Sequence, residues 1–158
     1  MNKEELLNVA KEIMLETRVG YVSNIDSDGF PKIKAVFNLR YKKEFPHHAS
    51  VLEKYDNNFT NVYISTNTSS QMIKDFMSNN KIAIYFCVPE GTKGVMLQGF
   101  ADIVDDMDLK RDIWTEGTKI YYPLGYTDPD FTILRIKTNY IESWYKGQKH
   151  TLIVRDKK

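Results

Sequence analysis

The sequence has 158 residues, 42% hydrophobic content and a formal net charge of +1, which predicts one globular domain spanning residues 1–158. A charge so close to zero supplies no overall field for nucleic acid or an anionic membrane, so neither partner is expected. Without a signal peptide, an apolar span or a second cysteine to pair with Cys87, the chain is expected to be cytoplasmic.

The first part of the chain predicts a helix and then a β-hairpin. Apolar residues recur three and four apart from Lys3 to Leu15, the pattern of an amphipathic helix. Val19 to Ile25 reads as a strand, Asp26 to Gly29 suits a tight turn, and Pro31 begins the return strand. Alternation along the return strand predicts a core face and a basic face, formed by Ile33, Ala35, Phe37 and Leu39 and by Lys32, Lys34, Val36, Asn38 and Arg40, respectively.

Residues 42–60 form a long connection, of the kind that is usually functional or a partly folded insertion. Its adjacent His47 and His48 have no Cys or further His at ligand spacing. No metal site is therefore predicted. The two histidines are expected either in solvent or in a lid over a neighbouring pocket.

The middle of the chain predicts a strand, a polar loop, a helix and another strand. Val62 to Ser65 and Lys81 to Phe86 are β-branched and aromatic, whereas Met72, Ile73, Phe76 and Met77 have helical spacing. The loop from Ser65 to Ser70 is entirely hydroxyl and amide side chains, which cap helix starts or accompany a bound anion. From these residues alone, capping by Thr68 or Ser69 is favoured over an anion site.

The last part predicts a long strand from Val95 to Val104, with a bulge or close approach at Gly99. A helix carrying Trp114 follows, and then strands at 132–136 and 140–144, a short strand at 149–154 and a frayed tail at 155–158. These elements predict a mainly β (α+β) fold. Its form is an antiparallel split β-barrel with an N-terminal helix, a crossover helix and a further helix before the last hairpin.

Several segments, taken together in their order and spacing, resemble the pyridoxamine 5′-phosphate oxidase-like, FMN-binding split-barrel superfamily, in its general-stress-protein branch. Each motif is loose alone, but the similarity extends over nearly the whole chain. The matching segments are Gly29–Val36, Tyr63–Ser70, Asn79–Phe86, Leu97–Asp105, Trp114, Tyr122–Gly125, Asp128–Asp130 and Ile141–Trp144.

The resemblance implies a homodimer with FMN sites at the subunit interface, and a flavin-dependent oxidoreductase that acts on a small molecule. The cofactor-binding residues that it implies are Lys34, Ala35, Val36 and Phe37 on the second strand, Ser65 and Thr66 at the end of the third, Ser70 and Gln71 at the helix start, and Gln98 and Trp114. No catalytic residue is predicted, because the flavin itself carries the chemistry. Oxidation of pyridoxamine phosphate is not expected, since the C-terminal segment lacks matches to that enzyme's substrate-phosphate residues.

One departure from the resemblance concerns the cofactor phosphate. Two residues after the matching Ser, the family usually has a Lys that holds the phosphate, and this chain has Met72. Lys74 lies about 200° further around the helix and is no substitute. Lys34, Lys32, the loop hydroxyls and the helix start are left to hold the phosphate, which weakens the case for FMN.

Two other functions remain open. One is a non-catalytic protein of the same fold that binds flavin, deazaflavin or haem for storage or sensing. The other is a barrel that binds single-stranded nucleic acid, which the near-neutral charge disfavours. The cations that it would use are Lys32, Lys34, Arg40, Lys42 and Lys43.

Overall fold

The computed structural model describes residues 1–155, and the predicted frayed tail lies outside them except for Arg155. Four α-helices lie in this part of the chain: α1 (Lys3–Glu16), α2 (Pro46–Tyr55), α3 (Gln71–Ser78) and α4 (Met107–Ile113). The strands are β1 (Val19–Ile25), β2 (Pro31–Phe37), β3 (Asn61–Asn67), β4 (Lys81–Val88), β5 (Lys93–Ile103), β6 (Phe131–Tyr145) and β7 (Gln148–Ile153). None of the described helices is long and apolar enough to cross a membrane.

The seven strands form one antiparallel sheet in the order β2-β1-β4-β5-β6-β3, with β7 also paired to β6. The sheet curls into a half-barrel. This confirms the predicted split-barrel fold, and α1, α3 and α4 are the three predicted helices.

The strand β6 was predicted as two strands but runs unbroken for 15 residues. It stays continuous because β5 pairs with it from Gly94 to Ile103, across a shift in register between Gln98 and Gly99. Gln98 lies opposite Tyr140 and Gly99 opposite Thr138, so the extra residue of the bulge belongs to β6, and the predicted bulge or close approach at Gly99 is confirmed. The two ends of β6 then pair with different strands, β3 at its start and β7 at its end.

Apolar residues from the helices and the concave side of the sheet form the main core. The side chains of Ile13 and Met14 on α1 are fully buried with Phe86 and Val95 on the strands. A second apolar cluster joins α2 and α4 through Leu52, Ile113 and their neighbours. The fold thus holds α1 and α3 on one side of the curled sheet and docks α2 beside α4.

The prediction of a core face on β2 is wrong for most of that strand. Ile33 is 75% exposed and Phe37 is 52% exposed. The reason is that β2 is an edge strand, whose one strand partner among the described elements is β1, and none of those elements covers that face. Of the predicted core residues, only Leu39 is buried, and it lies beyond the end of β2.

The cations that were predicted to form a basic surface contact different parts of the protein. Arg40 is buried, and its Nη2 donates to the carbonyl oxygens of Asp56, Asn58 and Asn61. Lys42, which lies beyond the predicted basic face and is another cation that nucleic acid would use, forms an ion pair with Glu53 at 2.6 Å. These cations therefore do not form the continuous free surface that nucleic acid would need.

Candidate functional site

A cleft of about 260 Å³ lies between β2 and the turn from β3 into α3; we call it the β2–α3 cleft. Its lining residues are Val19, Lys34, Ala35, Val36, Phe37, Leu39, Ser65, Thr66 and Met72. Six residues that the resemblance implied as cofactor-binding thus surround one cleft. They meet there although more than 25 residues separate the two groups in sequence.

The start of α3 is capped by Ser70, whose Oγ accepts a hydrogen bond from the backbone N–H of Ile73 at 3.3 Å. The expected caps have other roles: Thr68 donates to the carbonyl of Pro129, and the N–H of Ser69 donates to Asp130. The predicted identity of the cap was therefore wrong by one or two residues. A hydroxyl that accepts one bond can still donate its own proton, so Ser70 can cap α3 and bind an anion together.

The two lysines on the cleft side of β2 differ in what they contact. Lys32 lies 3.4 Å from the buried carboxylate of Asp75 on α3. Asp75 also accepts hydrogen bonds from Asn24 and Gln71, both at 3.1 Å. Lys34 is exposed and has no ion pair with any residue from 1 to 155. Lys34 is therefore the cation of this cleft that is available to a ligand. Lys32 and Gln71 instead contact the carboxylate of Asp75.

The pKa of Asp75 lies below its ordinary value of 3.8, because Gln71, and then Asn24 and Lys32, donate to the carboxylate and outweigh the effect of burial. A carboxyl with a lowered pKa in the folded state stabilises the fold above its unfolded pKa, and this stabilisation is lost as pH falls through the folded value.

We therefore expect the free energy of unfolding to fall on acidification below about pH 4, and Asp75→Asn to remove part of that fall. Urea unfolding at pH 7 and pH 3 measures the change in the free energy of unfolding. Asp105→Asn, at an exposed surface position, is the control. Identical pH dependence of Asp75→Asn and the wild type would contradict this role.

Met72 forms an apolar wall of the cleft where the resemblance would place a lysine. It is only 7% exposed and packs with Ile73 and Phe76 in the main core. Lys74 is exposed and is absent from the cleft lining, as helical geometry predicted. Met77, which shares the helical spacing of Met72, Ile73 and Phe76, is exposed.

Four predicted site residues are not among those that line the β2–α3 cleft. Ser70 and Gln71 lie at the start of α3, next to the lining residue Met72, whereas Gln98 and Trp114 lie in other parts of the fold. Gln98 lines a separate cleft of about 420 Å³ over β1, β4 and β5. Trp114 follows α4 and packs edge-on against Phe131, with ring centroids 5.2 Å apart. A single chain therefore does not bring Gln98 or Trp114 to the other candidate residues.

The structure adds neighbours to the cleft that the sequence reasoning missed. The ring of Phe45, which precedes α2, lies 5.4 Å from that of Phe37, and the ring of His48 lies 5.6 Å from that of Phe45. Two features of the sequence could have predicted α2. Pro46 is a residue type common at the first position of a helix, and the apolar residues Ala49 and Leu52 have helical spacing. The 42–60 insertion is thus largely a docked helix.

Comparisons with known proteins agree with the fold. A family model described as pyridoxamine 5′-phosphate oxidase like matches residues 42–157. The structure of a protein from Clostridium acetobutylicum related to general stress protein 26 is 28% identical, with a TM-score of 0.74 and 97% of each chain covered. That of general stress protein 26 from Bacillus anthracis is 19% identical, with a TM-score of 0.68, 94% of this chain and 99% of that chain covered.

A haem-binding protein from Mycobacterium smegmatis has the same fold, with 14% identity, a TM-score of 0.65 and 93% of this chain but 57% of that chain covered. No curated protein matches this chain.

Proposed function

Since this chain belongs to the pyridoxamine 5′-phosphate oxidase-like family, we propose that it binds FMN in the β2–α3 cleft as a flavin-dependent oxidoreductase acting on a small molecule. The observation that supports this most is the position of Lys34, a cation that has no ion pair among residues 1–155 and lines the same cleft as Ser65 and Thr66. A cation, two hydroxyls and the start of α3 suit a phosphate. Met72 and the backbone of Ala35 and Val36 offer the flat apolar surface that a flavin ring needs.

If FMN binds, it supplies the two-electron chemistry. Lys34 would neutralise the phosphate, and Ser70 would cap α3 and donate its hydroxyl proton to a phosphate oxygen. Residues Lys34 to Phe37 would fix the position of the ring along β2. The buried Met72 would exclude water from one side.

The test is the visible absorption spectrum of the purified protein, before and after addition of FMN and desalting. A retained flavin spectrum is the expected result. Protein that retains no flavin after loading would overturn the proposal. A haem spectrum in purified protein would instead favour the haem-binding alternative, for which Met72 is the one haem-ligand side chain among the described residues that line the cleft.

We also propose that the protein acts as a homodimer. A cleft of 260 Å³ is smaller than the roughly 300–1,000 Å³ typical of cofactor sites, so one chain supplies only part of the site. The outer face of the β2-β1-β4 sheet exposes apolar and aromatic side chains. Tyr21 on β1 and Tyr85 on β4 lie directly opposite each other and are 49% and 40% exposed. Ile33 on β2, which is 75% exposed, lies on the same face two residues from Ala35, the partner of Tyr21.

Light scattering coupled to gel filtration should therefore give twice the mass of the chain, and Ile33→Lys should shift the protein toward the monomer. A lysine at the centre of an apolar interface loses its hydration without gaining a partner. Met77→Lys, a change at an equally exposed position on α3, is the control and should leave the mass unchanged. A wild-type protein that is monomeric at tens of micromolar would contradict the dimer.

A further inference from the structure

The aromatic side chains at one end of the β2–α3 cleft form a continuous row. Phe37 lines the cleft, its ring centroid lies 5.4 Å from that of Phe45, and Phe45 meets His48 edge-on at 5.6 Å. All three retain some solvent exposure, and Phe37 is about half exposed. We call Phe37, Phe45 and His48 the aromatic rim.

The helix α2, which begins directly after Phe45 and carries His48, is firmly docked. Leu52 of α2 is fully buried in the second apolar cluster. At the two ends of α2, Tyr55 donates to the side chain of Asp112, and Nε2 of His47 lies 2.6 Å from the carbonyl oxygen of Asp112. The rim is therefore held in place before any ligand arrives, which lowers the cost of binding.

The two adjacent histidines differ in their hydrogen bonding. His47 is engaged by the backbone of α4, whereas the half-buried His48 makes no hydrogen bond or ion pair with any residue in the described part of the chain. Burial, and then the proximity of His47, lowers the pKa of His48. A neutral imidazole offers one N–H donor and one acceptor nitrogen, so His48 can exchange hydrogen bonds with a hydroxyl group.

The charges next to the rim cancel one another. The guanidinium of Arg18 lies 5.1 Å from the Phe37 ring centroid, but it is paired with Glu44, at 2.9 Å from Nη2 to Oε1. Because of this pairing, Arg18 is not free to act as the counter-ion of a charged ligand at this end of the cleft. The surface instead suits an uncharged ring that packs against aromatic side chains, with oxygen placed for His48.

We propose that the aromatic rim binds the substrate, and that the substrate is an uncharged planar aromatic compound bearing a hydroxyl or carbonyl oxygen. Phe37 and Phe45 contact the ring, and His48 exchanges a hydrogen bond with the oxygen. Substrate binding beside the cofactor rests on the proposed function, because it assumes FMN in the adjoining cleft. The ring-binding property of the rim does not depend on FMN.

The experiment uses calorimetric titration of the full-length protein, with and without FMN, by three probes that share one ring system. They are 2-naphthol, naphthalene and 2-naphthalenesulfonate. The wild type should bind 2-naphthol more tightly than naphthalene, and the charged sulfonate most weakly. With FMN present, 2-naphthol should also perturb the visible flavin spectrum.

Two variants give different signatures. His48→Phe keeps a ring but removes the hydrogen bond, so it should weaken 2-naphthol binding by about 2- to 10-fold and leave naphthalene unchanged. Phe45→Leu removes ring contacts and should weaken both probes, again by about 2- to 10-fold. His47→Gln, which keeps a hydrogen-bonding group toward Asp112, is the control and should change neither. All three should retain wild-type FMN affinity, since none of these positions lines the cleft.

Unchanged 2-naphthol affinity in His48→Phe would overturn the proposal, as would equal losses for both probes in that variant or tightest binding of the sulfonate. Failure of FMN to bind would instead refute the proposed cofactor, while the probe titrations without FMN would still decide whether the rim binds aromatic rings. The two failures are therefore distinguishable.

Discussion

Lys34→Ala is expected to weaken FMN binding by about 10- to 100-fold. A hydrogen bond to a charged group contributes about 1.5–3 kcal/mol, and each 1.4 kcal/mol is a factor of ten in affinity. Lys34 is the cleft lysine without an ion pair among the described residues, so no rearrangement within that part of the chain replaces it. Quenching of flavin fluorescence during titration measures the dissociation constant.

The matched ligand is riboflavin, which has the same ring and ribityl chain but no phosphate. Lys34→Ala should leave riboflavin affinity unchanged, and Lys34→Arg should retain most FMN affinity. Lys32→Ala is the matched control within the chain, because Lys32 already pairs with Asp75; its effect on FMN should be smaller. Equal losses for riboflavin and FMN would show that Lys34 does not act through the phosphate. If Lys34→Ala combined with Ser70→Ala left FMN affinity unchanged, the phosphate would have to lie elsewhere.

A substitution at Met72 tests the role of a cation near the phosphate by adding one instead of removing one. Met72→Lys places an ammonium in the cleft wall and should tighten FMN, but not riboflavin, by up to about tenfold. The variant should also be less stable without ligand, because Met72 is buried in the core and a lysine there loses hydration. Tighter binding of riboflavin as well would mean that the gain does not come from the phosphate.

The elements that sequence predicted well have strong local signals. The strand from Val19 to Ile25 was predicted with both of its ends correct, and α1 differs by one residue at its end. In β1 the burial alternates along the strand, and in α1 the apolar residues follow the helical period. The α2 helix was missed because its ten residues lie within a polar, Pro-containing connection, where propensity alone is weak.

The two faces of β2 show what the alternation of residue types cannot predict. The period of two correctly separates Ile33 from Lys32 and Lys34, but it cannot say which face the rest of the protein covers. That depends on α3, which contributes Asp75 on the lysine side. The apolar face therefore became exposed in the single chain, where sequence predicted core.

The part of the candidate site that lies on β2, β3 and α3 could be predicted from the sequence. Lys34 to Phe37, Ser65, Thr66 and Met72 lie on β2, the end of β3 and the start of α3, and one cleft joins them. Ser70 and Gln71 are not among its lining residues, although they are next to Met72 in sequence. Gln98 and Trp114 lie in other parts of the fold, and neither local pattern nor alternation could reveal their position. The aromatic rim depends on the docking of α2 against α4, a tertiary contact with no local signature.

Gly99→Ala is expected to destabilise the fold by about 3 kcal/mol or more, toward the upper end of overpacking costs. A β-carbon at position 99 would lie 1.9 Å from the carbonyl oxygen of Lys137 and 2.7 Å from its carbonyl carbon. Both atoms belong to the backbone of β6, so no side chain can rotate away. For a domain of this size the midpoint of thermal unfolding should fall by roughly 6–12 °C.

The matched control is Gly117→Ala, because a β-carbon at Gly117 would have no atom within 4 Å; its effect should stay within about 0.5 kcal/mol. Thermal and urea unfolding of both variants measures the difference. Equal stability of Gly99→Ala and the wild type would show that β5 and β6 separate at the bulge at little cost.

Gly99→Ala should also weaken the binding of FMN in the β2–α3 cleft. Gly99 pairs with the segment of β6 that continues into the pairing with β3, where Ile133 lies opposite Ser65 and Thr132 opposite Thr66. If β6 moves to admit the methyl group, the two hydroxyls move relative to Lys34 on the other side of the cleft. We therefore expect Gly99→Ala, measured at a temperature where it is still folded, to bind FMN more weakly than Gly117→Ala does. Equal FMN affinity of the two variants would mean that the bulge absorbs the strain before it reaches β3.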